Sequence, residues 1–273
     1  MRKWLFRILI ILLIAIFLFS AIKLLVIRHG YKVSEKVYSD AVSMFTRPAA
    51  TAIPVENTDA APAPEESGPP DHVPIVVDFD YLTDVNEDVI GWIYCPDTII
   101  NYPVVYGIDN NHYLERDYRN APDPCGTIFT DAANRRGFVD ANVIVYGHHM
   151  QDMAMFATLK YWRNQDYFNE HPIMWLLTPE QDYRIDLFSS YVTPADSDSF
   201  TVIHNPGPNL DAYLRRANGL SEVHTEVQLE PEGKYVMLTS CAYDYDSARM
   251  VLHGKLVPVN SAGGVPLENT PAE

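Results

Sequence analysis

Three side chains whose chemistry could be concerted stand at the ends of apolar runs. Cys241 closes the run Tyr235, Val236, Met237, Leu238 through Thr239 and Ser240, and a polar loop of seven residues separates it from Arg249, which opens a second apolar run. If the two runs pair as antiparallel strands, Cys241 and Arg249 meet at one rim, where directly opposed Cβ atoms lie about 5 Å apart. A guanidinium there favours a thiolate and can hold an oxyanion developing on a substrate carbonyl. The same local pattern also suits a small buried cysteine beside a surface arginine. His148 adds a proton carrier. Val143, Ile144, Val145 and Tyr146 read as a strand, Gly147 breaks it, and His148 and His149 lie just beyond. A thiol at one strand end and an imidazole at another is what acyl transfer through cysteine requires. The imidazole protonates the leaving amine and later deprotonates the incoming nucleophile. Taken alone, a His-His pair is equally a surface turn or an incidental metal contact.

The elements that must position these groups are short. Apolar, β-branched and aromatic runs separated by turn residues occur at 91–94, 99–105, 127–130, 142–146, 173–177, 183–192, 234–240 and 250–259. Eight short strands at this spacing predict a mainly β body, a closed or nearly closed barrel. Helical periodicity interrupts it at 79–89, 153–162, 165–170 and 210–218. The stretch 193–208 is long, polar and proline-containing, which suits a lid or a binding loop.

The N-terminus is of another kind. Of 20 Lys+Arg, five (Arg2, Lys3, Arg7, Lys23, Arg28) fall in the first 30 residues, which hold no acid, so the remainder carries 15 basic and 36 acidic groups, a formal balance of −21. A body that acidic repels a phosphate backbone, which argues against nucleic-acid binding. From Trp4 to Ile27 the chain is apolar except for Arg7, Ser20 and Lys23. Roughly 20 residues suffice to cross a hydrocarbon core of about 30 Å, so this is read as a membrane helix. The preceding basic residues place the N-terminus in the cytoplasm and the body outside. No small-x-small cleavage site follows before Arg28, which favours an uncleaved anchor over a signal peptide. Beyond it, 31–45 predicts a short amphipathic helix with Val33, Val37, Ala41 and Met44 at helical spacing. Pro-, Ala- and acid-rich residues 48–74 predict an extended tether. The expected organisation is 1–28 basic end and anchor, 29–74 helix and linker, 75–259 catalytic barrel, and 260–273 disordered tail.

The segments around the three side chains resemble a known family. Leu238-Thr239-Ser240-Cys241, with Arg249 opening the following strand, is similar to the active-site strand pair of sortases, whose usual form is TLSTC. Met237 stands in place of the family's first Thr, and Ser240 where the family has Thr. Tyr146-Gly147-His148-His149-Met150 resembles the YGHHM or YGHNM segment of class B sortases, in which the first His is catalytic. Gly91-Trp92-Ile93, Asn101-Tyr102-Pro103-Val104-Val105, Tyr113-Leu114 and Gly126-Thr127-Ile128-Phe129-Thr130-Asp131 follow the family's order, so the resemblance spans about residues 79–258. It implies a closed eight-stranded sortase-type β-barrel with a few peripheral helices, on a membrane-anchored cysteine transpeptidase of a Gram-positive-type envelope. Such enzymes cut an LPxTG- or NPxTN-like sorting signal of a surface protein after Thr. The resulting thioester passes to an amine of a peptidoglycan precursor or a pilin. By position the resemblance makes Cys241 the nucleophile, His148 the general acid/base and Arg249 the oxyanion and substrate group. Thr239 and Ser240 then line the cleft beside the nucleophile, Asn110 and Leu114 line the substrate groove, and the 193–208 loop covers the sorting peptide.

The remaining reactive groups have plainer readings. Cys95 and Cys125 either pair or sit as two separate buried thiols. His149 is a wall residue rather than the base. Asp244 and Asp246 supply too few converging oxygens for calcium, so neither metal nor cofactor is expected. Trp92, Trp162 and Trp175 are packing residues, and His253 is a half-buried structural histidine. Two other functions fit the same chain: a cysteine peptidase releasing acid to water, and a non-catalytic tethered surface domain in which Cys241 is inert.

Overall fold

The computed structural model describes residues 2–49 and 72–259. The linker positions 50–71 and the tail 260–273 lie outside the described residues. Helix α1 (Arg2–Phe45) runs for 44 residues, about 66 Å at 1.5 Å per residue. The expected membrane helix and the expected short helix after it are therefore one element. Only Gly30 stands between them, and one glycine costs about 1 kcal/mol, too little to stop a helix. No proline occurs before Pro48. The first half exposes Trp4, Phe6 and every large aliphatic from Ile8 to Ile27, so α1 is long and apolar enough to cross a membrane.

The second half of α1 belongs to the body. It buries Ser34, Tyr38, Ala41 and Phe45 while Val33 and Met44 stay exposed. The buried stripe is thus rotated from the expected one. Phe45 packs its ring on Tyr81 and Tyr118, 5.1 and 6.0 Å between centroids, and burying such a side chain contributes about 1.5–3 kcal/mol. β1 (Thr46–Pro48) then pairs antiparallel with β2 (Ile75–Val77), so packing begins well before residue 75.

Helix α2 (Phe79–Val85) is capped by the Asp78 side chain, which accepts from Tyr81 N. It ends short of 89 because Asn86 is extended and Val89 opens a strand. Eight strands follow: β3 (Val89–Tyr94), β4 (Asn101–Tyr106), β5 (Ile128–Thr130), β6 (Asn142–Tyr146), β7 (Ile173–Leu177), β8 (Asp182–Pro194), β9 (Lys234–Cys241) and β10 (Ala248–Val259). They close a barrel in the order β10-β8-β7-β3-β4-β5-β6-β9. Most pairs are antiparallel, but β4 lies parallel to β5 and β6 parallel to β9. The interior is apolar and aromatic, with Trp92, Trp162, Trp175, Phe156 and Tyr235 fully buried.

A further helical expectation is corrected. The segment 153–162 begins helical structure only at a 3-10 helix, Ala157–Arg163, because Met153 and Met155 have φ of 69° and 56°, incompatible with a right-handed turn. Helix α3 (Gln165–Glu170) forms as expected, and α4 (Pro208–Leu220) starts on its proline, whose fixed φ suits the first turn. His253 is fully buried rather than half-buried. It stacks on Tyr191 and lies against Phe188 and the Tyr213 of α4.

Candidate functional site

Register brings the reactive side chains to one rim. β6 and β9 run parallel with Tyr146 opposite Thr239, and the Gly147 N–H continues the ladder to the Thr239 carbonyl at 3.0 Å. His148 and Cys241 each lie two residues beyond that last pair, on strands about 4.8 Å apart. On the other side of β9, Arg249 is the direct antiparallel partner of Cys241. Arg249 is in turn opposite Thr193 on β8. Three adjacent strands therefore present imidazole, thiol and guanidinium in sequence, and a fourth launches the 193–208 loop over them.

The three side chains share a cavity of about 340 Å³ whose wall also includes Asn110, Leu114, Tyr146, Phe200 and Ser240. Cys241 is half-buried and carries a free thiol. Arg249 donates from Nη1 to the Ala248 carbonyl at 3.0 Å, and no carboxylate pairs with it among the described residues. His148 Nε2 lies 2.7 Å from the Leu114 carbonyl. A carbonyl only accepts, so Nε2 carries the proton and Nδ1 is left as the basic atom. His149 is held differently: its Nδ1 donates to the Cys241 carbonyl at 2.7 Å, and its ring lies edge-on to Tyr243, 4.8 Å away. It faces a second cavity on the far side of Cys241, with Arg163 and Asp244. Asp244 pairs with Arg163 at 2.8 Å.

The other predicted positions take distinct places. Thr239 is fully buried and its hydroxyl donates to the Met250 carbonyl at 2.8 Å, so its proton is engaged in the β9–β10 ladder. Ser240 is also buried. Asn110 is pinned across the cavity mouth: its Nδ2 donates to Asp131 at 3.1 Å, and its Oδ1 accepts from Ala132 N at 2.8 Å. Leu114 contributes the carbonyl that holds His148.

Several wall residues escaped the reading of the sequence. Phe129, Tyr146 and Phe200 form an aromatic stack, with centroids 5.3 and 6.5 Å apart. The Tyr146 hydroxyl donates to Asp131 at 2.7 Å, and burial followed by that carboxylate pushes its pKa upward. Phe200 sits in the polar loop already marked as a lid or binding loop, and Asp131 ends the Gly126–Asp131 run, so both lay inside noted segments. Gly147 is constrained by space: a Cβ there would lie 2.6 Å from Ile128 Cδ1 and 2.7 Å from the Phe156 ring. The other two cysteines are also free thiols and buried. Burial pushes Cys95 up to about 12 and Cys125 up to about 11.

No family model matches the chain. Sortase B of Listeria monocytogenes serovar 1/2a is 29% identical over 261 residues, covering 94% of this chain and 98% of that protein. A Bacillus anthracis protein similar to sortase B superposes with a TM-score of 0.66 at 27% identity, over 84% of this chain and 98% of that structure. The Staphylococcus aureus sortase B–substrate complex gives 0.63 at 28%, over 67% of this chain and 85% of that one, and a sortase B complexed with a glycine tripeptide gives the same score and identity. With its closed eight-stranded barrel, the chain is similar to sortase B proteins over nearly its whole length.

Proposed function

We propose that Cys241, His148 and Arg249 carry out thioester transpeptidation on a C-terminal sorting signal of the LPxTG or NPxTN kind. The observation that carries this reading is the register: β6, β9 and β10 set an imidazole, a thiol and a guanidinium side by side in one cavity. The Cys241 thiolate attacks the Thr carbonyl. Arg249 stabilises the oxyanion that develops there, a role in which a preorganised donor contributes about 10²–10³ in rate. The amide nitrogen leaves with a proton from His148, and the thioester remains. An incoming amine loses its proton to the same imidazole as it displaces the thiolate, which restores the enzyme. Leu114 fixes the tautomer by accepting from Nε2, so the proton in transit occupies Nδ1. Asn110, Leu114, Thr239 and Ser240 form the wall on which the peptide lies.

Residues 1–28 are the basic end and single membrane anchor in this reading, with the N-terminus cytoplasmic and barrel 75–259 outside the membrane. The substrates are surface proteins bearing the sorting motif, and the amine belongs to a peptidoglycan precursor or a pilin. Complexes of related sortase B proteins with a substrate and with a glycine tripeptide support both halves of the reaction.

The test is product analysis of the full-length chain in detergent micelles with LPxTG-, NPxTN- and SPxTG-like peptides. Cleavage after Thr, with the acyl part joined to added triglycine, is the expected result. Release of free acid alone, at a rate unmoved by amine, indicates a peptidase instead. Lack of cleavage together with an unreactive Cys241 indicates a non-catalytic domain.

A further inference from the structure

The membrane-derived helix reaches the site through two buried polar contacts. On α1, Ser34 Oγ donates to Asp123 Oδ1 and the Tyr38 hydroxyl donates to the Gly126 carbonyl. Both side chains are nearly fully buried, at 2% and 5% exposure. Asp123 is fixed to the same turn, accepting from Cys125 N at 2.8 Å on Oδ1 and from Gly126 N at 3.1 Å on its carbonyl. Its own N–H donates to Glu115 at 3.0 Å. The turn is seated directly on the strap that holds His148. Gly126 has φ of +59°, and a Cβ there would lie 2.5 Å from the Leu114 carbonyl oxygen. That oxygen accepts the 2.7 Å hydrogen bond from His148 Nε2.

Three links in series thus join α1 to the imidazole: the two hydroxyls of α1 on the 123–126 turn, that turn against Leu114, and Leu114 on the ring. Burial makes the two α1 hydrogen bonds stiff, because a donor or acceptor left unpaired in the interior costs about 1–3 kcal/mol. We infer that Ser34 and Tyr38 are positioning residues for His148, so that docking of the anchor helix on the barrel sets the orientation of the proton carrier. This inference rests on the role of His148 proposed above. It also gives the buried polar stripe of α1 a purpose that packing alone does not supply, since Ala41 and Phe45 already hold the helix to the body.

Full-length enzyme in micelles tests this through Tyr38→Phe and Ser34→Ala, which remove one hydroxyl each, with Phe45→Leu as a variant that loosens only apolar packing. The expected result is a fall in kcat of about tenfold for the double hydroxyl variant, with peptide KM within twofold of wild type and a displaced histidine limb in the pH profile of kcat. Phe45→Leu should lower Tm while leaving kcat and that limb in place. A wild-type kcat and pH profile in Tyr38→Phe/Ser34→Ala overturns the inference, as does a kcat loss in Phe45→Leu that matches its loss of Tm. His148→Ala separates the two levels. If it retains activity, the assignment of the proton carrier has failed. If it is inactive while the hydroxyl variants are normal, only the coupling to α1 has failed.

Discussion

Strands β9 and β10 carry reactive side chains at both the rim and the interior, and the two regions treat them in opposite ways. At the rim, Cys241 and Arg249 are half-exposed, and the guanidinium has no carboxylate partner among the described residues. In the interior of the same pair, His253 is fully buried among Tyr191, Phe188 and Tyr213. Its Nε2 meets the Tyr191 hydroxyl at 3.1 Å, and its Nδ1 has no partner among the described residues. Burial lowers its pKa to about 3. The cysteines repeat the contrast, with Cys95 and Cys125 sealed and raised and Cys241 open. The same residue types thus stand in opposite surroundings, because the rim opens on a cavity and sets a guanidinium beside the thiol, whereas the interior is closed and apolar.

The sharpest way to break the contrast is at Arg249. Arg249→Lys keeps the charge but loses the planar fork, and kcat/KM should fall by about 10²–10³, the scale of a lost oxyanion donor. Turnover near wild type would show that charge alone suffices at the rim. The cysteines come next. At pH 8 a thiol-reactive probe should modify Cys241 at least about tenfold faster than either other cysteine, since thiols raised to about 12 and about 11 hold little thiolate. Peptide mapping of the labelled protein reads this directly, and comparable labelling of Cys95 would erase the distinction. Third, Gly147→Ala should destabilise by about 1–3 kcal/mol through overpacking against Ile128 and Phe156 and displace the adjacent His148; unchanged Tm and activity would refute the tight fit.

The smallest effect is expected from the sealed histidine. Its pKa is lowered from 6.5 to about 3 in the fold, so between those values the unfolded chain binds a proton that the folded chain refuses. The stability is whole above about 6.5 and is lost as pH falls below it, by up to about 1.4 kcal/mol per unit. Chemical unfolding at pH 7.5 and 5.5 should show a smaller acid loss in His253→Phe than in wild type. Equal losses would mean that His253 takes up its proton in the folded state.

Much of this was legible in the sequence, for local reasons. Each of the eight barrel strands lies within a few residues of its expected run, because alternation and turn residues are encoded within the strand itself. The rim constellation was legible because Cys241 and Arg249 are joined by one loop and His148 follows its own strand. What the sequence concealed depends on distant partners. Ser34 and Tyr38 do not read as a packing face; their partners Asp123 and Gly126 lie nearly 90 residues away, whereas the apolar Val33 and Met44 remain exposed. The depth of His253 depends on α4 and β8 packing over it. Met153 and Met155 adopt left-handed backbone that no helical periodicity announces. The aromatic wall of Phe129, Tyr146 and Phe200 joins three separate segments and exists only once the barrel closes.

The central claim is that the rim thiol forms the acyl-enzyme, and intact mass measurement with mapping of the adduct tests it most directly. Full-length protein in micelles is mixed with a sorting peptide, quenched in acid before an amine is added, digested and mapped. The account predicts an adduct equal to the peptide truncated after Thr, carried by Cys241 and absent in Cys241→Ala. Peptide cleavage that persists in Cys241→Ala, or an acyl group found on any other residue, would contradict it.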